Sequence, residues 1–464
     1  MRFGHSPLPA PLRRARLSVS AIFFVHGAVF ASWAARVPSV EDELRLSAGV
    51  LGLVLAGPGL GALAGSQAGG VLVHRLGSRA TSALAPVGLS VPLGLIPAAD
   101  SAWELLALLV LFGAADGCTS VAMNAQAVAV QSRYGRTVMN SMHAVRSIGA
   151  VAGGLAGAAT AGVGLTLTTQ FVLTAVLLGV VSAFAAAGLQ PDEEGREPRA
   201  KNGEAAPLTE PPPTETPPTE TPPTETPPTE TPPTETPPTE APLTEERSVP
   251  LGPDHGARPG AGSRTLVLLL TVMTFLAALV EDAPASWSGV YLRESGAGAA
   301  LAAAGYAAFS AGGVVTRLLN DRLVNRLGWV RLIRTGTLCC AAALAAALLL
   351  GRPVVMLAAL VVAGAGISAV FPGAFTAAGA LPRPALAMGQ IGFAGNLGWL
   401  LVSPLIGGLA TLVGLPAALG VLVLASVIIA LLAPVTAPGT APVTASGTPR
   451  QRGERRSTRR GGRT

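Results

Sequence analysis

Gly70-Val-Leu-Val-His-Arg-Leu-Gly77 and Asp321-Arg-Leu-Val-Asn-Arg-Leu-Gly328 are the two stretches that decide the fold. They share the core Leu-Val-x-Arg-Leu-Gly, at Leu72–Gly77 and Leu323–Gly328. Each copy follows the second apolar run of its half of the chain. Like motifs at like places in two sets of six runs imply a parallel internal duplication. The expected fold is an all-α membrane protein with about twelve transmembrane helices in two pseudo-symmetric six-helix halves.

Working outward, apolar runs of spanning length are read near 17–36, 49–72, 80–98, 103–129, 139–162 and 166–188. A second set lies near 265–292, 297–318, 330–350, 353–379, 388–411 and 414–434. Of 464 residues 50% are hydrophobic and 12% charged, about half the charge of an ordinary soluble domain. A water-facing exterior does not accommodate that composition. The domains expected are an N-terminal stretch 1–16, a first half 17–189, a linker 190–263, a second half 264–434 and a tail 435–464. The linker carries a Pro-Pro-Thr-Glu-Thr repeat from Pro212 to Glu240. Proline at that density forbids helix, and threonine and glutamate bury nothing, so the linker is expected to be extended and disordered. The tail is basic and expected to be a disordered cytoplasmic end that reinforces topology, with attraction to anionic membrane lipid as the alternative.

The net charge of +6 does not indicate nucleic acid, because the arginines sit in short loops and in the tail. Arg13, Arg14, Arg16, Arg75, Arg79, Arg133 and Arg136 fall on one side of the expected spans. Arg317, Arg322, Arg326, Arg331, Arg334 and Arg383 join them. By the positive-inside rule that side is cytoplasmic, with both termini on it, in a bacterial inner membrane. Cys118, Cys339 and Cys340 all lie in apolar runs and make no disulfide framework or metal pattern. No cofactor, metal or catalytic constellation is expected, so the chain is not read as an enzyme.

The two loop motifs resemble the cytoplasmic motif that the major facilitator superfamily carries between its second and third helices, in outline GxxxDRxGR. Gly70, Arg75, Gly77 and Arg79 match it, and His74 stands where the family has an acid. The second copy supplies Asn325, Arg326, Gly328 and Arg331, with Asp321 at the position of the glycine. Met123–Val130, Ser141–Ala144, Trp287–Leu292, Gly305–Phe309 and Phe371–Gly373 resemble a poorly characterised bacterial branch of that superfamily, distantly similar to fucose-permease-like sugar transporters. That branch carries an acid before the tryptophan of the seventh helix, where this chain has Ser286. The resemblance implies alternating access between two halves. It also implies a cavity lined in the first half by the first, second, fourth and fifth helices, and a proton-coupling carboxylate in the fourth, matched by Asp116.

Ionisable groups within a span are costly and normally face a cavity or a partner. Asp116, Ser120 and Asn124 share one face of the fourth run, and Asn140, His143 and Ser147 one face of the fifth. His26 and Trp33 share a face of the first. Asp116 and His143 are the expected titratable pair. Arg146, three residues after His143, either lies deep and favours an anionic substrate or lies shallow and snorkels. In the second half Glu281 and Asp282 precede Pro284, which is expected to break the seventh helix and make the acids gate residues. Gln390, Asn396 and Trp399 are candidate substrate contacts in the eleventh. The glycines of 57–70 and 149–157 suit close helix packing.

The expected function is secondary active transport of a small solute, proton-coupled and sugar-like, by a monomer. A drug or metabolite efflux antiporter is the alternative. A non-transporting membrane sensor or scaffold is the alternative of another class.

Overall fold

Within hydrocarbon no water takes up a peptide N–H, so an apolar run must satisfy its own backbone, and a helix does so within one segment. The computed structural model describes residues 10–134, 138–191 and 261–437. Among these, twelve helical segments are long and apolar enough to cross a membrane. Spans one to six are Ala10–Leu44, Ala48–Leu76, Ser78–Ala98, Ala102–Tyr134, Ser141–Gly162 and Leu167–Ala186. Spans seven to twelve are Ser263–Glu294, Ala299–Asn320, Arg322–Leu350, Pro353–Gly379, Leu386–Val413 and Leu415–Thr436. Leu349, Leu412 and Phe184 are 87%, 80% and 79% exposed, a surface suited to lipid rather than water.

The duplicated motif has a duplicated backbone. Gly77 closes the second span at φ 87°, ψ 160°. Gly328 interrupts the helical run Gly305–Leu350 at φ 74°, ψ 160°. Only glycine adopts this region without strain, so each copy ends in glycine for the same reason. The pairing of helices repeats as well: first on fifth and second on fourth in one half, seventh on eleventh and eighth on tenth in the other.

Several edges differ from the sequence expectation. The first helix begins by Ala10, not 17, because Arg16 has somewhere to go: its guanidinium lies 5.2 Å from the centre of the Tyr134 ring. Gln190, expected to open the linker, is buried and donates its N–H to Gln126 Oε1 at 3.1 Å. Thr436, expected in the tail, is buried in a short 3-10 turn. Pro284 does not break the seventh helix, which runs unbroken from Ala261 to Glu294. A proline removes one N–H, and neighbouring helices let a membrane helix continue past it. The linker repeat and the basic tail beyond 437 lie outside the described residues.

Candidate functional site

The first and fifth spans run side by side at backbone distance. A Cβ on Gly27 would sit 2.0 Å from the carbonyl oxygen of Arg146, and one on Gly149 would sit 2.2 Å from that of Phe24. Glycine at both places lets the two backbones touch, which is how small residues act between membrane helices. His26 is thereby carried against Arg146, whose Nε donates to His26 Nδ1 at 3.0 Å. With Nδ1 accepting, the proton of the neutral ring is on Nε2. That nitrogen lies 3.0 Å from Asp116 Oδ1, although the two are not aligned as a hydrogen bond. Asp116, His26 and Arg146 therefore form a chain of ionisable groups across the fourth, first and fifth spans, near the middle of the first and fourth.

The partner of Asp116 is thus His26 and not His143. His143 lies edge-on to Phe23, ring centres 5.0 Å apart, one helical turn from the chain. Asn140 belongs to the same expected face, but its side chain lies outside the described residues. Arg146 does not snorkel: it is half-buried and turned inward.

A second cluster joins the halves. Arg317 of the eighth span donates Nη2 to Glu281 Oε1 at 2.7 Å and Nη1 to Ser147 Oγ at 3.0 Å. Glu281 is in the seventh span and Ser147 in the fifth, so one arginine touches both halves. Arg317 was counted from sequence as a loop charge because it lies three residues before the end of its span. Around it lies a small cavity of about 50 Å³, lined by Arg146, Ser147, Glu281, Tyr306, Ser310 and Arg317 among others. This volume holds a few waters and is well below a drug-sized pocket.

The other candidates stand apart from this cavity. Trp33 is buried against Phe171, ring centres 6.3 Å apart. Asn124 donates to the Ser120 carbonyl of its own helix at 2.8 Å. Asp282 is half-buried and makes no hydrogen bond or ion pair among the described residues. Gln390 and Asn396 are exposed, and Trp399 is tilted against Phe371 at 5.9 Å. Ser286, at the place of the expected acid, accepts a hydrogen bond from Ser403 at 3.0 Å. In the loop motifs Gly70, Arg75, Arg79 and Arg326 are exposed, and the Asp321 side chain lies outside the described residues.

The halves meet closely on the side of the cavity away from the Gly77 and Gly328 turns. Gly52 faces Ser403 and Gly407, Gly154 faces Ala307, and Gly289 faces Pro38. Beyond them Arg293 pairs with Asp42 at 2.5 Å.

An uncharacterized MFS-type transporter of Yersinia pestis is 28% identical over 418 residues, 89% of this chain and 94% of that one. The membrane protein MosC of Rhizobium meliloti is 25% identical over 421 residues, 89% of each. Among solved structures, the D-xylose-proton symporter superposes with a TM-score of 0.62 at 12% identity, covering 92% of this chain and 99% of its own. The nucleoside transporter NupG gives 0.62 at 11%, covering 91% and 98%. These two share the fold. The sequence pattern of the Major Facilitator Superfamily matches residues 19–402, and the chain belongs to that family of multi-pass membrane transporters.

Proposed function

We propose that this chain is a proton-coupled secondary transporter that moves a small solute by alternating access, through the cavity between its two halves. The observation that carries this reading is the mid-span chain Asp116–His26–Arg146, which opens onto a cavity shared by both halves. A carboxylate and an imidazole in contact, within apolar helices, can take and release a proton as their surroundings change. Rocking the halves about this site alternates its exposure. The arginine bias supports a cytoplasmic location for both termini and for the end that bears Gly77 and Gly328, in a bacterial inner membrane. With the opposite end packed through Gly52, Gly289 and the Asp42–Arg293 pair, the present state corresponds to one closed to the outside.

A neutral sugar-like solute is one reading of the cargo. The hydroxyls of Ser147, Tyr306, Ser310 and Ser368 line the cavity. The fold is shared with a nucleoside transporter and a D-xylose-proton symporter.

Purified protein reconstituted in vesicles with an entrapped pH dye tests the transport reading. Sugars, polyols, nucleosides, organic acids and lipophilic cations are added in turn. The expected result is proton entry driven by at least one class and abolished in Asp116→Asn. Vesicles in which no class moves, and none moves protons, overturn it.

A further inference from the structure

We infer that the cavity is an oxyanion site: it takes the carboxylate of a small organic acid on the open guanidinium edge of Arg146. The inference rests on the transport reading and names the substrate class for that same site. Of the Arg146 guanidinium only Nε is engaged, by His26. Its two Nη atoms carry four N–H donors with no acceptor among the described residues, on a side chain that lines the cavity. A planar fork of that kind matches a carboxylate with two parallel hydrogen bonds, and it matches a neutral hydroxyl less well. A half-buried cation with open donors between membrane helices is costly until something supplies acceptors.

The surrounding groups leave this edge of Arg146 to a ligand. Facing Glu281 are Arg317 and Tyr306 of the eighth span and Arg146 and Ser147 of the fifth. On its own helix Asp282 follows it but does not line the cavity. Behind Arg146 stand His26, which accepts its Nε–H, and Asp116. Arg317 is already held by Glu281 and Ser147, so the open Nη edge at the cavity is that of Arg146.

The test uses solutes that differ only in charge. Thermal stability of the purified full chain is titrated with D-glucuronate, D-gluconate and pyruvate, against D-glucose, D-xylose and inorganic phosphate. The expected result is stabilisation by at least one carboxylate and none by its neutral counterpart. The dissociation constant should rise tenfold or more in Arg146→Gln. Arg146→Lys keeps the charge but loses the planar fork, so it should bind the carboxylate more weakly than wild type and more tightly than Arg146→Gln. It keeps the test decisive if Arg146→Gln does not fold. Stabilisation by neutral sugars alone, by phosphate alone or by nothing in the panel overturns the inference, as does full carboxylate affinity in the arginine variants. Failure of the transport reading is separate: a carboxylate would bind, and the dye-loaded vesicles would show no flux.

Discussion

At the scale of single residues, the position of Gly27 decides whether the Asp116–His26–Arg146 chain exists. The residue precedes no turn and has an ordinary helical backbone. Its task is to have no side chain where the Arg146 carbonyl passes. Gly27→Val should separate the first and fifth spans, because the obstacle is backbone and cannot rotate aside. The expected loss is about 3 kcal/mol, the upper end for overpacking. It would be read as a lower denaturation midpoint in detergent, with solute-driven proton flux lost as His26 leaves Arg146. Unchanged stability would mean that the two helices are not in backbone contact. Parts of this site were legible in the sequence. Asp116, His26 and Arg146 stand out as ionisable groups in apolar runs. Their pairing was hidden, because His143 and Arg146 are three residues apart and occupy neighbouring positions on one helix. Only the rotation of the fifth span against the first places Arg146, and not His143, opposite His26. Arg317 was missed for a related reason: near a span end, an arginine that turns inward has the same sequence signature as one that turns out.

At the scale of elements, the turn glycines Gly77 and Gly328 separate what the loop motif needs from what it merely contains. Both occupy a region closed to other residues, with φ of 87° and 74°. Gly70 opens the first copy but lies within a helix, and a Cβ there meets nothing within 4 Å. Gly77→Ala and Gly328→Ala should each cost about 1–3 kcal/mol. Gly70→Ala should be neutral or stabilise by about 0.5–1 kcal/mol, since alanine loses less chain entropy in a helix. Melting temperatures of the three variants check this, and equal losses at all three would show the motif to act as a unit. The turns were readable because a glycine repeated at the same place in both halves implies a shared backbone demand. The seventh helix was read less well. Pro284 suggested a break, but the loss of one N–H does not end a helix packed among neighbours. Such packing is a property of the bundle and leaves no local mark.

At the scale of the whole molecule, two kinds of contact hold the halves together at the end away from the glycine turns, and they should fail differently. Arg293 and Asp42 pair at 2.5 Å with side chains 43% and 50% exposed. An exposed pair contributes about 0.2–1 kcal/mol, which changes a two-state population by at most about fivefold. Gly52 contributes by close packing: a Cβ there would lie 2.6 Å from the Ser403 carbonyl oxygen and 2.9 Å from Gly407 Cα. A leucine at Gly52 cannot fit without parting the halves. Spin labels at Glu43 and Glu294, both exposed on this end, report the separation. Asp42→Lys should add a minor long-distance component that high salt reduces, and the exchange Asp42→Lys with Arg293→Glu should remove it. Gly52→Leu should shift most of the distribution, insensitive to salt and not rescued by any charge exchange. If the ion pair were the principal latch, the two variants would trade places, and the closed state would depend on ionic strength. Because the closure rests on backbone packing and the charge pair adds only a margin, the transporter should keep its closed end across a wide range of salt. Opening is then left to events at the charged cavity between the halves.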